Sequence, residues 1–391
     1  MQPQQPQQQP VPPPAEQPQP AAPPAPQPAA QPTPTQQPVA AQPQPADAPS
    51  TTPPTRNFQN PTSGTISESE LKKVKKTVDA ITDAYTTRVV GQENLRQALL
   101  ISMLTGGHVL LESVPGLAKT TAAQTLAHAV SGSFKRIQCT PDLLPSDIIG
   151  TQIYDYAKGE FRTELGPVHA NIVLLDEINR SSAKTQSAML EAMQEKQTSI
   201  GGKKYMLPNP FVVLATQNPI EQEGTYELPE AQLDRFLLKE VLLYPTSNEE
   251  LEILKRIESG VLSNEDNSAS SVTTEDVVHA QQLAQKVYVD DSIKTYIVQI
   301  VTATRSPGSV IAAELARYVQ YGASPRASIA FLQSARALAL LNGRDYVIPE
   351  DVKALRYSVL RHRIILNFEA VADQVHSEAI IDAIINAVTA P

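Results

Sequence analysis

The chain has 391 residues and a formal net charge of -9, long enough for two domains with a sizeable core but too acidic overall to attract a nucleic-acid backbone. It holds no run of about eighteen apolar residues that would span a membrane, and no basic start followed by an apolar stretch that would read as a secretory signal. Cys139 is its only cysteine, which excludes an internal disulfide and a cysteine-built zinc site, so a cytoplasmic protein is expected.

Of 34 prolines, 21 precede Thr62, in a tract of Pro, Gln and Ala almost without charge. Such a tract buries too little apolar side chain to offset chain entropy, and its prolines favour solvated, extended backbone. Residues 1–65 therefore read as a disordered arm, more simply a spacer than a ligand for a proline-binding partner.

Order begins near Ile66. Ser67 and Glu70 have capping-box spacing, and Leu71, Val74, Val78, Ile81 and Tyr85 recur at helical spacing to give one buried stripe. Lys72, Lys73, Lys75 and Lys76 lie off that stripe, on a solvated face. After Val89-Val90-Gly91-Gln92, a second helix is predicted over 93–104, stopped by Gly106-Gly107. Val109-Leu110-Leu111 then has the look of a buried parallel strand, and 120–130 reads as a helix ended by Ser131-Gly132.

Between that strand and that helix lies Ser113 to Thr120, Ser-Val-Pro-Gly-Leu-Ala-Lys-Thr, which resembles a phosphate-binding loop. Such a loop has glycine first and sixth, then Lys and Ser/Thr, because bare backbone wraps phosphates while an ammonium and a hydroxyl reach phosphate and Mg²⁺. Lys119, Thr120 and Gly116 fit, whereas Ser113 and Ala118 replace the two glycines. The strand-to-helix setting is what turns the pattern into a phosphate site, since helix-start amides face the anion.

Ile172-Val173-Leu174-Leu175-Asp176-Glu177 ends a buried strand in two carboxylates, the strongest local signal in the chain. Asp176 can hold Mg²⁺ through water and Glu177 can polarise an attacking water. Capping a helix is the plainer role for either carboxylate, and Lys119 upstream argues against it. A further strand, 211–216, leads into Gln217-Asn218-Pro219, where Asn218 is either simple turn chemistry or an amide that orients the lytic water.

These blocks resemble the MoxR-type AAA+ ATPases over nearly everything after the arm: Val-Pro-Gly-Leu-Ala-Lys-Thr from Val114, Asp-Glu-Ile-Asn-Arg from Asp176, the 183–195 and 215–226 segments, and Leu-Pro-Glu-Ala-Gln-Leu-Asp-Arg-Phe from Leu228. The resemblance implies an α/β AAA+ core over 66–246, a parallel sheet with flanking helices, followed by a smaller all-helical lid over 247–391. It also implies ATP and Mg²⁺ as ligands. Val90, Gly91, Val114, Pro115, Gly116, Leu117, Ala118, Lys119 and Thr120 would bind the nucleotide, Thr120 and Asp176 the metal, and Glu177 and Asn218 would act in hydrolysis. Ala118 is ordinary for this family, so the expected weak point is Ser113, where a side chain would strain the loop if the backbone there needs positive φ.

In the same family Arg235 corresponds to an arginine finger that completes a neighbouring subunit's site, and a surface Arg paired with Asp234 is the plainer alternative. Ser324-Pro325-Arg326 opens a lid helix with a Ser cap and Pro in the first turn; the family places its second sensor at Arg326, a cation that opposes the helix dipole and so wants phosphate. ATP is then expected to gather a subunit's own Arg326 and its neighbour's Arg235 around one nucleotide, with hydrolysis moving lid against core. A less regular segment, 263–271, precedes the lid helices.

Two hairpins are predicted, 151–164 around Lys158-Gly159 and 198–205 around Gly201-Gly202; in similar ATPases such inserts touch the client, and by spacing alone they are surface decoration. The reading is an ATP-hydrolysing remodelling or maturation chaperone, a homo-oligomeric ring of hexameric type, with a von Willebrand factor A domain protein as the implied partner and the client unidentified. A nucleotide-binding scaffold with weak hydrolysis is the alternative, and a nucleic-acid motor is a third, disfavoured by charge.

Overall fold

The computed structural model describes residues 66–219, 226–261 and 271–391. The arm, residues 1–65, and nearly all of the irregular segment 263–271 lie outside them.

Helix α1 (Glu68–Arg88) begins with the Ser67/Glu70 capping box and buries Val74, Val78, Ile81 and Tyr85, while its four lysines stay exposed. Helix α2 (Glu93–Thr105) ends at Gly106, whose φ of 64° closes the last turn. Strand β1 (Val109–Glu112) leads through the candidate loop into α3 (Lys119–Ala129), and β2 (Phe134–Gln138), α4 (Pro145–Ile149), β3 (Gly150–Asp155) and β4 (Glu160–Leu165) follow. After β5 (Ile172–Asp176), α5 (Ala183–Glu195), β6 (Gln197–Ile200) and β7 (Lys203–Met206), the core closes with β8 (Val212–Gln217), α6 (Glu230–Leu233) and β9 (Leu238–Val241).

Five strands form one parallel sheet in the order β2-β5-β8-β1-β9. Because alternate residues of a strand face opposite sides, the sheet feeds two hydrophobic clusters. Val109, Leu111, Leu174, Val212 and Leu214 face α1, α2 and α3 on one side. Leu110, Val173, Leu175, Val213 and Ala215 face Ile148 and the Met189, Leu190 and Met193 side of α5 on the other.

Beyond α7 (Ser247–Glu258) come α8 (Thr274–Lys286), α9 (Asp291–Arg305), α10 (Ala313–Ala316), β10 (Val319–Tyr321), α11 (Pro325–Leu341), α12 (Pro349–Ala354), α13 (Arg356–Leu360), β11 (Ile365–Leu366), α14 (Phe368–Ala372) and α15 (Ser377–Ala387). The lid is helical apart from a short antiparallel pair, β10 with β11, that the periodicity does not announce. α1 and α2 pack against α8 and α11 within the same hydrophobic cluster as the sheet face, so sheet and lid share one continuous core. Among the described residues no helix is long and apolar enough to cross a membrane.

Both hairpins form as predicted. β3 pairs with β4, and β6 pairs with β7 around Gly201 (φ 56°) and Gly202 (φ 79°), the two left-handed positions a type I′ turn requires. They lean on one another: Tyr205 and Thr163 share a hydrogen bond of 2.9 Å, and a Cβ at Gly201 would lie 2.1 Å from the Gln152 side chain.

Candidate active site

Parallel register brings the chemistry to one edge of the sheet. Glu112, the last residue of β1, lies opposite Gln217 of β8 and Val241 of β9, and Gln138 of β2 lies opposite Asp176 of β5. The candidate loop, the Asp176-Glu177 pair and Asn218 therefore leave adjacent strands at their C-terminal ends, the edge where open α/β sheets bind ligands.

The loop's base is tied down by the Ser113 amide, which donates to the Gln217 carbonyl at 3.0 Å. Ser113 itself is buried, its Oγ donating to the Val114 carbonyl at 2.8 Å, and its φ is not positive, so the strain expected there is absent. Left-handed backbone falls instead at Gly116, φ 85°, and at Ala118, φ 55°. Gly116 faces open space, so backbone conformation and not crowding makes glycine necessary there. Ala118, unremarkable by resemblance, is the strained position, at a cost of roughly 1–2 kcal/mol for a residue bearing a Cβ. Leu117 is buried and anchors the turn, and Val114 packs partly against the same core, while Pro115 is exposed. Lys119 opens α3 and reaches back across the loop, Nζ lying 3.5 Å from the Ser113 carbonyl; Thr120 follows in the first turn. An ammonium, a hydroxyl and first-turn amides around a bare Gly116 form a donor set that fits a phosphate chain.

At the end of β5, Asp176 is buried and held from two sides. Arg136 of β2 donates to Oδ2 through Nη2 at 2.5 Å and Nε at 3.2 Å, and Thr216 donates to Oδ1 at 2.8 Å. The Thr216 Oγ1 also accepts the Glu177 amide at 2.8 Å, so one hydroxyl orients both members of the carboxylate pair. Glu177 sits at φ 57°, a second strained position at the site, and its Oε2 accepts from Gln138 at 3.1 Å and from Arg180 at 3.0 Å. Two adjacent carboxylates are thus matched by two guanidiniums. Arg136 and Gln138, two apart on one strand, share a face, but only the β2-β5 pairing makes that face a partner of Asp176; Thr216 and Arg180 are likewise supplied by tertiary placement. The one-dimensional signal that could have found Arg136 and Gln138 is the alternation of Phe134-Lys135-Arg136-Ile137-Gln138, in which only Ile137 is buried. Asn218 follows β8 on the same edge and is buried.

Val90 and Gly91 lie between α1 and α2. Gly91 has φ 66°, and a Cβ there would lie 2.3 Å from the Glu249 carboxylate of α7; the neighbouring Gln92 donates to the Leu243 carbonyl at 3.0 Å. These contacts draw the α1–α2 turn against the chain that leaves β9.

Arg235 and Arg326 are elsewhere. The segment before β9 lies at the sheet's other edge, with the Leu237 amide bonded to the His108 carbonyl, one residue before β1 begins. Five residue steps from His108 to Ser113, about 16 Å, separate that edge from the loop. Asp234 does not pair with Arg235: Arg363 donates to its Oδ1 at 2.8 Å and Ser324 to its Oδ2 at 2.7 Å. Ser324 is also the cap of α11, accepting from the Arg326 amide at 3.1 Å. Arg363, nearly wholly buried, further donates to the carbonyls of Phe236, Leu237 and Val359. Arg235 is exposed, its amide donating to the Gln232 carbonyl at 3.1 Å, and Arg326 is exposed as well. The Asp234-Arg363-Ser324 cluster joins lid to core and brings the start of α11, which carries Arg326, to Asp234 at the beginning of the segment that leads into β9.

Known families, relatives and a solved structure align with this chain. Residues 108–238 match the family described as the ATPase family associated with various cellular activities (AAA), and 311–384 match the AAA lid domain. The chain is 49% identical over 303 residues to Chaperone MoxR1 of Mycobacterium tuberculosis, covering 78% of this chain and 79% of that one. It is 31% identical over 300 residues to Protein MoxR of Methylorubrum extorquens, covering 71% and 84%. A crystal structure from Cytophaga hutchinsonii, of a protein described as an ATPase, superposes with a TM-score of 0.77 at 47% identity, covering 83% of this chain and 98% of that one.

Proposed function

Because the chain belongs to the MoxR-type AAA+ ATPases, we propose that it hydrolyses ATP in a homo-oligomeric ring, at sites shared between neighbouring subunits, and that it spends the resulting motion on remodelling or maturing a partner protein. The observation that carries the shared site is the division of its parts. Lys119, Asp176, Glu177 and Asn218 stand at one edge of the sheet, while Arg235 precedes β9 at the other, where Ser324 at the start of the Arg326 helix bonds Asp234.

On the first edge, α3's opening amides and Lys119 bind the phosphates of ATP, and Val90 and Gly91 border the base. Mg²⁺, when bound, would supply positive charge against the phosphates. Thr120 and Asp176 are the residues that hold it, Asp176 through water. Among the described residues no cluster of three or more His, Cys, Asp or Glu could hold a metal unaided, which suits an ion that takes its other ligands from phosphate and water. Glu177 accepts the proton of the attacking water, and Asn218 orients that water. Arg235 and Arg326 of the next subunit reach the γ-phosphate from outside.

The hairpins are the client-facing elements. Tyr156 and Phe161 are exposed on β3-β4, where Tyr154 meets both rings edge-on at centroid separations of 5.1 Å, and Met206 is exposed on β7. A chaperone role follows from the name of the M. tuberculosis relative, and a hexamer with a von Willebrand factor A domain partner follows from the family resemblance.

Complementation tests the shared site. Glu177→Gln is expected to abolish phosphate release while ATP still binds; a wild-type rate no higher than that of the variant would sink the enzymatic reading. Mixed rings of Lys119→Ala with Arg235→Ala, and of Lys119→Ala with Arg326→Ala, should both regain activity, whereas Arg235→Ala with Arg326→Ala should regain less. Failure of the second mixture alone would return Arg326 to its own subunit's site.

A further inference from the structure

Helix α7 is amphipathic, yet none of its residues is buried. Ile253, Ile257, Leu254 and Leu251 fall within one side of the helical wheel, and Leu251, Leu254 and Ile257 are each more than half exposed. The helix rests on the molecule through its polar side: Arg256, held by Glu252 at 2.9 Å, donates to the Thr86 carbonyl at 2.6 Å and the Thr87 carbonyl at 2.9 Å, at the end of α1. Leu243 and Tyr244, just before the helix, are also exposed. An apolar stripe turned outward while its charged side is anchored inward marks an interaction surface, not a fold element that failed to pack.

A matching surface lies on the lid. The end of α9, the turn after it and the end of α15 enclose an open groove of about 500 Å³ whose lining is apolar at Val298, Ala303, Val310, Ala387 and Val388 and polar, through uncharged amide and hydroxyl side chains, at its other residues. That is roughly three times the ~150 Å³ that accommodates a benzene in a dry protein cavity, so several large side chains fit.

Each surface flanks one half of the divided site. α7 packs its Glu249 side chain against Gly91, on the loop edge. The groove's helix α9 is bonded to the opposite edge: Thr304 accepts from the Ala323 amide at 2.9 Å and Arg305 donates to the Ala323 carbonyl at 2.7 Å, next to Ser324 and its bond to Asp234. A copy that delivers Arg235 and Arg326 to its neighbour's loop therefore delivers this groove to its neighbour's α7.

From this we infer that the apolar face of α7 docks into the α9–α15 groove of the adjacent copy, a heterologous contact that propagates head to tail and closes as a ring. The inference rests on the shared-site reading and specifies which surfaces make the junction. The nucleotide edge and the docking helix adjoin through Gly91 and Glu249, so bound nucleotide and subunit contact are coupled at one place.

The experiment is sedimentation velocity of the full chain with ATP in the Glu177→Gln background, for the parent, Leu254→Glu and Val298→Glu. Both substitutions place a carboxylate on an exposed site of the single chain, so its melting temperature should not move, while assembly should weaken at least tenfold. A bismaleimide is then applied to mixtures of Leu254→Cys and Val298→Cys copies; the native Cys139 is buried, its thiol pushed up to about 12 by desolvation, and stays silent. Crosslinks should form between unlike copies, require ATP, and be absent when either variant is alone. If the parent assembles and both carboxylate variants assemble equally well, or if crosslinks join only like copies, the docking is wrong and the shared site stands. A parent that remains a single chain with ATP would overturn both.

Discussion

Ala118→Gly and Ser113→Gly make a paired test of where the nucleotide loop stores its strain. At Ala118 the backbone has φ 55°, and a glycine would remove a left-handed penalty of roughly 1–2 kcal/mol, while adding about 0.5–1 kcal/mol of unfolded-chain entropy. The net runs from nothing to a gain of about 1.5 kcal/mol, worth at most about 2 °C in melting temperature for a chain of this size. At Ser113, where φ is not positive, glycine relieves nothing; it deletes the hydroxyl bonded to Val114 at 2.8 Å and empties a buried position, so a loss of about 1 kcal/mol is expected. Differential scanning calorimetry of the nucleotide-free chain reads both, and steady-state phosphate release shows whether relaxation also alters turnover. A stabilised, faster Ser113→Gly beside an unchanged Ala118→Gly would refute the placement of strain.

Glu240, buried between α2, β9 and α13 beside a cavity of about 90 Å³, has its carboxyl pushed up to about 7 by desolvation, against the opposing pull of Ser358 and Arg361. Arg361 is 3.9 Å away and is engaged more closely by Glu378 at 2.6 Å. A raised carboxyl stabilises the fold below its unfolded range, near 4.3, and that stability is lost as pH rises through about 7; Glu240→Gln should therefore gain roughly 3–4 kcal/mol over wild type in denaturant melts at pH 8 and little at pH 4.5. A constant difference across that window would be inconsistent with a neutral Glu240. Thr216→Val should lower turnover by about 10- to 100-fold, because the hydroxyl that orients Asp176 and receives the Glu177 amide is gone, with nucleotide affinity measured separately by fluorescent-analogue titration. Arg363→Met should cost about 3–5 kcal/mol in denaturant melts by leaving the Asp234 charge without its guanidinium and several carbonyls without their donor, and adding Asp234→Asn should recover part of it.

Local sequence is enough to specify the elements that local chemistry controls. The Ser67/Glu70 capping box, the α1 stripe, the Gly106 stop, the Ser324 cap and the Gly201-Gly202 turn each depend on residues within one or two turns of one another, and all form as those residues require. The order of loop, carboxylate pair and terminal amide was also legible, because each ends a short apolar strand and parallel strands carry their ends to one edge. What tertiary structure decided was partnership across strands and between domains. Arg136 and Thr216 become the supports of Asp176 only through the order β2-β5-β8, which no spacing within one strand encodes. The start of the Arg326 helix meets the segment before β9 only because Asp234 is claimed by Ser324 and Arg363, 90 and 129 residues further along the chain. Ser113 and Ala118 exchanged roles for the same reason: residue type shows what a position tolerates, but φ at each is set by how β1, the loop and α3 are joined in space.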